Sequence, residues 1–185
     1  MSISIPHHEP WTREDYERMV ERGAFEPGDR FELVEGIVYD MAPQNSWHAA
    51  VVGRLTKILV SIYAGDCCVR VQTPLALGTN SLPEPDFAIV PGDDFDYLQS
   101  HPTTAILIIE VADSSVYHDR ERKGWLYARG DIQELWIVNL IDKTLEVYRE
   151  PVQGSYRSRM VLRSSDMISP LSRPEAVIAV RDLLP

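Results

Sequence analysis

Apolar positions along this chain recur with two distinct periods, and the periods predict its elements. Val51, Leu55, Ile58, Leu59 and Ile62 repeat at helical spacing, which predicts a helix from about Trp47 to Ile62 with Ser46 as its cap. Val69, Val71, Thr73 and Leu75 alternate with Arg70 and Gln72, which predicts a strand from Val69 to Leu77. Ala105 to Val111 is too apolar for a half-exposed strand, so it belongs at the centre of a sheet covered on both faces. Phe31-Glu32-Leu33-Val34 and Ile37-Val38-Tyr39-Asp40 flank Glu35-Gly36 and read as a hairpin.

Shorter patterns fill in the rest. Thr12-x-x-Asp15 resembles a capping box and opens a short helix to Glu21. Gly78 to Pro85 is rich in turn residues, and Asp86 to Val90 is a short strand stopped by Pro91-Gly92. The acidic stretch Asp93, Asp94 and Asp96 reads as a solvated loop. Ser114 or Ser115 caps a helix that continues to about Arg129, with Gly130 as its stop. Glu134–Leu140 and Leu145–Arg149 form a second hairpin across Asp142-Lys143, followed by loop and a last strand near Ala176–Val180. The predicted fold is α/β: a central mixed sheet flanked by helices, with an N-terminal helix and hairpin added.

The 185 residues predict one domain over the whole chain, with residues 1–10, His7 and His8 among them, as a mobile N-terminus. No apolar run reaches the length of a membrane span, and the first residues carry neither a basic nor an apolar leader segment, so a cytoplasmic protein is expected. Cys67 and Cys68 are adjacent, a spacing that disfavours a bridge, and read as reduced thiols.

The formal net charge of −10 opposes phosphate binding by the chain as a whole. A nucleic-acid surface would have to be built from Arg120, Arg122, Lys123 and Arg129, and from Arg157, Arg159 and Arg163.

Against this background the candidate chemistry is carried by carboxylates. Asp86 alone reads as a turn aspartate entering a strand. Glu110, appended to five apolar residues, must be paired, metal-bound or neutralised, and a ligand role and a salt-bridged role weigh equally. Asp119, Lys123 and Tyr127 stand at i, i+4 and i+8; at about 100° per residue they drift by roughly 80° and share one helical face. That face is either a surface stripe with an Asp119–Lys123 ion pair or a cover over the strand ends that brings Lys123 to the carboxylates. Carboxylate oxygens without soft ligands suit Mg²⁺ or Mn²⁺.

His48, Glu32 and Gln72 are second-tier candidates, with Asp119 and Tyr127. Trp125 and Trp136 read as core or interface aromatics. The chain has no Gly-rich phosphate loop, no Cys/His zinc spacing and no Gly-x-Ser-x-Gly elbow.

These residues resemble a known pattern. Pro85-Asp86, Ile108-Ile109-Glu110-Val111-Ala112-Asp113-Ser114-Ser115, Tyr117-His118-Asp119-Arg120 with Lys123 and Tyr127-Ala128-Arg129, and Glu134-Leu135-Trp136-Ile137-Val138 look like the bacterial Uma-two family. That family is a group of restriction-endonuclease-like proteins in the PD-(D/E)XK nuclease superfamily. Phe31 to Gly36, and His48 after Pro43, match its N-terminal pattern.

The resemblance implies a restriction-endonuclease-like core, Asp86 and Glu110 as metal ligands, and metal-dependent hydrolysis of DNA. One departure matters: the superfamily lysine is expected two residues after the acid, where this chain has Ala112, and the resemblance moves it to Lys123. The alternative is a nuclease-like scaffold without turnover, serving as a binding module.

Trp136, Ile137, Val147 and Tyr148 give the second hairpin a large apolar surface. It is covered either by a two-fold copy, making a homodimer, or within one subunit by the N-terminal helix. Alanine at Asp86, Glu110 or Lys123 is expected to abolish cleavage and leave melting largely unchanged.

Overall fold

The structure, a computed structural model, describes residues 10–26, 28–41, 43–113 and 119–185. Helix α1 (Arg13–Glu21) starts where Thr12 Oγ1 accepts the Asp15 backbone N–H. Strands β1 (Phe31–Val34) and β2 (Ile37–Asp40) pair across Glu35 and Gly36, both at positive φ. Gly36 is required there, because a Cβ would meet Pro10 Cβ at 2.4 Å.

Helix α2 (Ser46–Tyr63) has the predicted apolar stripe, but its cap is Asn45, one residue before the predicted Ser46. Asn45 Oδ1 accepts the backbone N–H groups of Trp47 and His48.

A six-stranded sheet follows: β3 (Cys67–Val71), β4 (Phe87–Pro91), β5 (Leu107–Ala112), β6 (Glu134–Asn139), β7 (Thr144–Val152) and β8 (Ser155–Leu162). The strands lie in sequence order, and every pairing is antiparallel except β5 with β6. That single parallel pair needs a crossover, and the chain from β5 to β6 supplies it with a π turn (Asp119–Lys123) leading into helix α3 (Gly124–Arg129). Strands β9 (Met167–Ile168) and β10 (Ile178–Ala179) form a small separate pair.

One face of the sheet, with Phe87, Ile89, Leu107, Ile109, Trp136, Val138 and Val147, packs on Val51, Leu55, Leu59 and Tyr63 of α2. The other face, with Ala88, Val90, Ile108, Leu135 and Ile137, packs on Leu126 and Tyr127 of α3. Each fully buried large apolar side chain contributes about 1.5–3 kcal/mol. Strands β5 and β6 are buried at every position; for β5 this is the double covering its composition predicts. The predicted α/β architecture, a central mixed sheet flanked by helices, is the observed one.

Four details differ from expectation. The strand after α2 stops at Val71, because Gln72 takes φ 51° and turns the chain toward Asp86. Residues 114–118, where the helix after β5 was expected to start, lie outside the described residues, and its described part begins as a π turn. Residues 155–162 form a strand where loop was expected. Trp136, Ile137 and Val147 are fully buried within this chain and Tyr148 is half-buried, so the apolar surface that motivated the homodimer is covered from inside. It is covered by α2, α3 and the sheet itself rather than by the N-terminal helix.

Candidate active site

Pro85-Asp86 enters β4, and Phe87 lies opposite Ile109 of β5, so Asp86 and Glu110 are the next residues outward on neighbouring strands. The Asp86 backbone N–H reaches Glu110 Oε2 at 3.4 Å, and the Val111 N–H donates to Asp86 Oδ2 at 2.8 Å. Gln72 Nε2 donates to Asp86 Oδ1 at 2.9 Å, and the positive φ of Gln72 is what aims the amide there. His48, in the first turn of α2, brings Nε2 to 3.1 Å from Asp86 Oδ2.

Burial alone would push the Asp86 carboxyl up. The hydrogen bond and charge of His48, the Gln72 amide and the Val111 N–H outweigh it and hold the group below its usual value.

Glu110 is 3% exposed and meets α3 from the other side. The Tyr127 hydroxyl donates to Glu110 Oε1 at 2.6 Å, and Lys123 Nζ lies 3.4 Å from the same oxygen. Lys123 also reaches Glu32 Oε2 at 3.1 Å. Glu32 is delivered by the β1–β2 hairpin, which is tied to the 81–84 segment by reciprocal backbone bonds between Leu33 and Leu82. The Glu84 N–H donates to Glu32 Oε2 at 3.2 Å. Burial raises the Glu84 carboxyl above its usual value, and Arg30, 3.2 Å away, only partly offsets this.

The structure thus brings Asp86, Glu110, Lys123, Tyr127, His48, Glu32 and Gln72 together. Asp119 opens the π turn, and its side chain lies outside the described residues. Lys123 has two buried partners, Glu32 and Glu110, and the expected Asp119–Lys123 pair falls on a side chain outside the described residues. A buried carboxylate cluster centred on Glu146 was not foreseen; within Leu145-Glu146-Val147 the residue reads as an ordinary outward position of a hairpin.

Residues 13–181 match the family model Uma2, described as "Putative restriction endonuclease". The chain belongs to that family. No curated protein matches it. Among solved structures, a protein of Anabaena variabilis described as a "putative nuclease belonging to DUF820" is similar at a TM-score of 0.72 and 14% identity. That match covers 94% of this chain and 97% of the other. At that identity the likeness establishes a shared fold, and it extends across the site just described.

An Uma2 protein with this arrangement has two carboxylates on adjacent strands, one lysine between acids, and a tyrosine hydroxyl on the inner carboxylate. Among the described residues no group of three or more His, Cys, Asp and Glu side chains forms a ready metal cage. The donor chemistry nevertheless suits a hard cation. Asp86 is held ionised and both acids offer oxygen only, which matches ions that take one or two carboxylates and complete their shell with water and phosphate. Among the described residues no helix is long and apolar enough to cross a membrane.

Proposed function

We propose that this protein is a Mg²⁺- or Mn²⁺-dependent endonuclease that hydrolyses phosphodiester bonds in DNA. The observation that carries the reading is the convergence on Glu110 of Asp86 from the entrance to β4 and of Lys123 and Tyr127 from the crossover into α3. Asp86 and Glu110 would hold the ion, which when bound supplies charge to polarise the attacked phosphate.

The chain's own groups do the rest. Lys123 positions a water for attack, or balances charge on the phosphate. Tyr127 and the Asp86 N–H orient Glu110, while His48, Gln72 and the Val111 N–H orient Asp86. Glu32 holds the ammonium of Lys123 against Glu110. All of these groups come from one chain, so the reading does not require a homodimer. Unpaired Cys67 and Cys68 accord with a cytoplasmic setting.

The alternative, a scaffold that binds without turnover, is favoured by one feature: Lys123 is already engaged by two carboxylates. The deciding experiment is plasmid cleavage with Mg²⁺ or Mn²⁺, with and without excess chelator. Asp86→Asn and Glu110→Gln are run beside the wild type. Metal-dependent nicking lost in both variants supports the nuclease; undiminished cutting in chelator overturns the mechanism.

A further inference from the structure

Away from the carboxylate pair, four side chains converge on Glu146 of β7, which is 1% exposed. Arg120 Nε donates to its Oε1 and Oε2 at 3.1 and 2.9 Å, and Arg120 Nη2 also bonds Oε1. Arg159 Nη2 of β8 donates to Oε2 at 3.0 Å. The Tyr148 hydroxyl donates to Oε2 at 2.6 Å and Asn139 Nδ2 to Oε1 at 3.3 Å. Glu146 sets one buried carboxylate against two guanidiniums. Exposed Asp142, which accepts from Asn139 Nδ2 at 3.0 Å and acts on Arg120 through its charge, adds a second carboxylate at the edge of the cluster.

The Glu146 carboxylate is enclosed and the cations are not: the Arg120 and Arg159 side chains are 31% and 50% exposed. A guanidinium has five N–H donors in a fixed fork. Among the described residues, Nη1 of Arg120 and Nε and Nη1 of Arg159 make no hydrogen bond. Arg159 is further steadied by lying 5.6 Å over the Tyr148 ring.

The location is as informative as the composition. Glu110, Ile137 and Glu146 lie opposite one another on β5, β6 and β7, so Glu146 shares Glu110's face two strands away. At ~4.8 Å per strand that is roughly 10 Å, or about three steps of a B-form strand at 3.4 Å each. Arg120 belongs to the same π turn as Lys123, so that one turn supplies a cation to Glu110 and another to Glu146.

We propose that Arg120 and Arg159, held by Glu146, form a second site that grips backbone phosphate of the bound nucleic acid strand beside the bond to be cut. The inference rests on the nuclease reading above and adds to it a place where the substrate backbone is held. It gives an acidic protein two arginine tips held in place by buried Glu146, with Arg159 the more exposed of the two.

The test uses the full chain and a fluorescein-labelled DNA duplex, with Ca²⁺ in place of Mg²⁺, and follows anisotropy over a range of KCl concentrations. Arg159→Gln should weaken binding uniformly across sequences. It should also flatten the dependence of log affinity on log salt by about 0.9, one phosphate contact. Arg159→Lys should restore most of that slope. Arg181→Gln, at a cation outside the cluster and 75% exposed, should leave the slope unchanged and so controls for net charge.

A merely structural role for Arg159 would move melting temperature and not the salt slope. An unaltered slope in Arg159→Gln, with wild-type binding and cleavage intact, overturns the phosphate site alone. No binding and no cleavage by the wild type overturns the nuclease reading, and this inference with it.

Discussion

Lys123 Nζ lies 3.1 Å from Glu32 Oε2, and the two side chains are 6% and 5% exposed. With Glu110 Oε1 at 3.4 Å on its other side, the ammonium separates two buried carboxylates. The sequence led to the expectation that removing this lysine would leave melting unchanged, and burial reverses it. Lys123→Ala leaves two acids facing each other without their counter-ion, a loss of about 3–5 kcal/mol. A second substitution, Glu32→Gln, should return part of the lost melting temperature while activity stays absent. If Lys123→Ala melts with the wild type, the buried triad is wrongly described.

Tyr127 offers a milder intervention at the same acid. Tyr127→Phe keeps the buried ring and deletes the hydroxyl that donates to Glu110 Oε1 at 2.6 Å. A hydrogen bond to a charged group contributes about 1.5–3 kcal/mol, and loss of a group that orients a ligand lowers metal affinity about 10- to 100-fold. Mn²⁺ titration by calorimetry should show that weakening with the fold intact by circular dichroism. Unchanged affinity would mean that the hydroxyl does not orient Glu110.

How far these features could be read in advance depended on whether local pattern or tertiary contact created them. The stripe of α2 and the all-apolar run of β5 are local and were legible. Strand β8 was not: Tyr156 and Met160 alternate with Arg157 and Arg159, and such a polar edge strand exposes every second residue.

The residues now grouped with Glu110 were legible as candidates from their types and positions, and all but Gln72 also fall in or beside the motifs that carry the family resemblance. Their contacts were not, because Glu32 arrives on a separate hairpin and Gln72 is aimed by a positive φ. Glu146 carried no signal at all. It is buried because the chain crossing from β5 lays Arg120 over it, and nothing in the neighbouring residues of β7 records that crossing.

Acid stability should report on Glu146 separately from the active site. Burial raises its carboxyl, but the hydrogen bonds from Arg120, Tyr148 and Asn139 outweigh that and bring it down to about 2 from an ordinary value of 4.5. A carboxyl depressed in the folded state stabilises the fold fully above its unfolded value, and that contribution is lost as pH falls through its folded value. Melting temperature should therefore decline between about pH 4.5 and 2 in part through this group. Glu146→Gln should melt lower at neutral pH and show a shallower decline over that interval. Parallel acid limbs for the two proteins would remove Glu146 from the account.

Metal binding and catalysis can be separated by following both in one titration. An ion that binds only the folded state at one hundred times its dissociation constant stabilises by about 2.7 kcal/mol, so Mn²⁺ should raise the wild-type melting temperature. Asp86→Asn and Glu110→Gln remove one ligand charge each, and both should lose the rise as well as plasmid nicking. His48→Gln deletes the imidazole 3.1 Å from Asp86 Oδ2 but leaves both acids in place, so it should keep a reduced rise. Stabilisation by Mn²⁺ with plasmid and oligonucleotides left whole would favour the non-cleaving scaffold. A rise that survives both carboxylate substitutions would place the ion elsewhere on the chain.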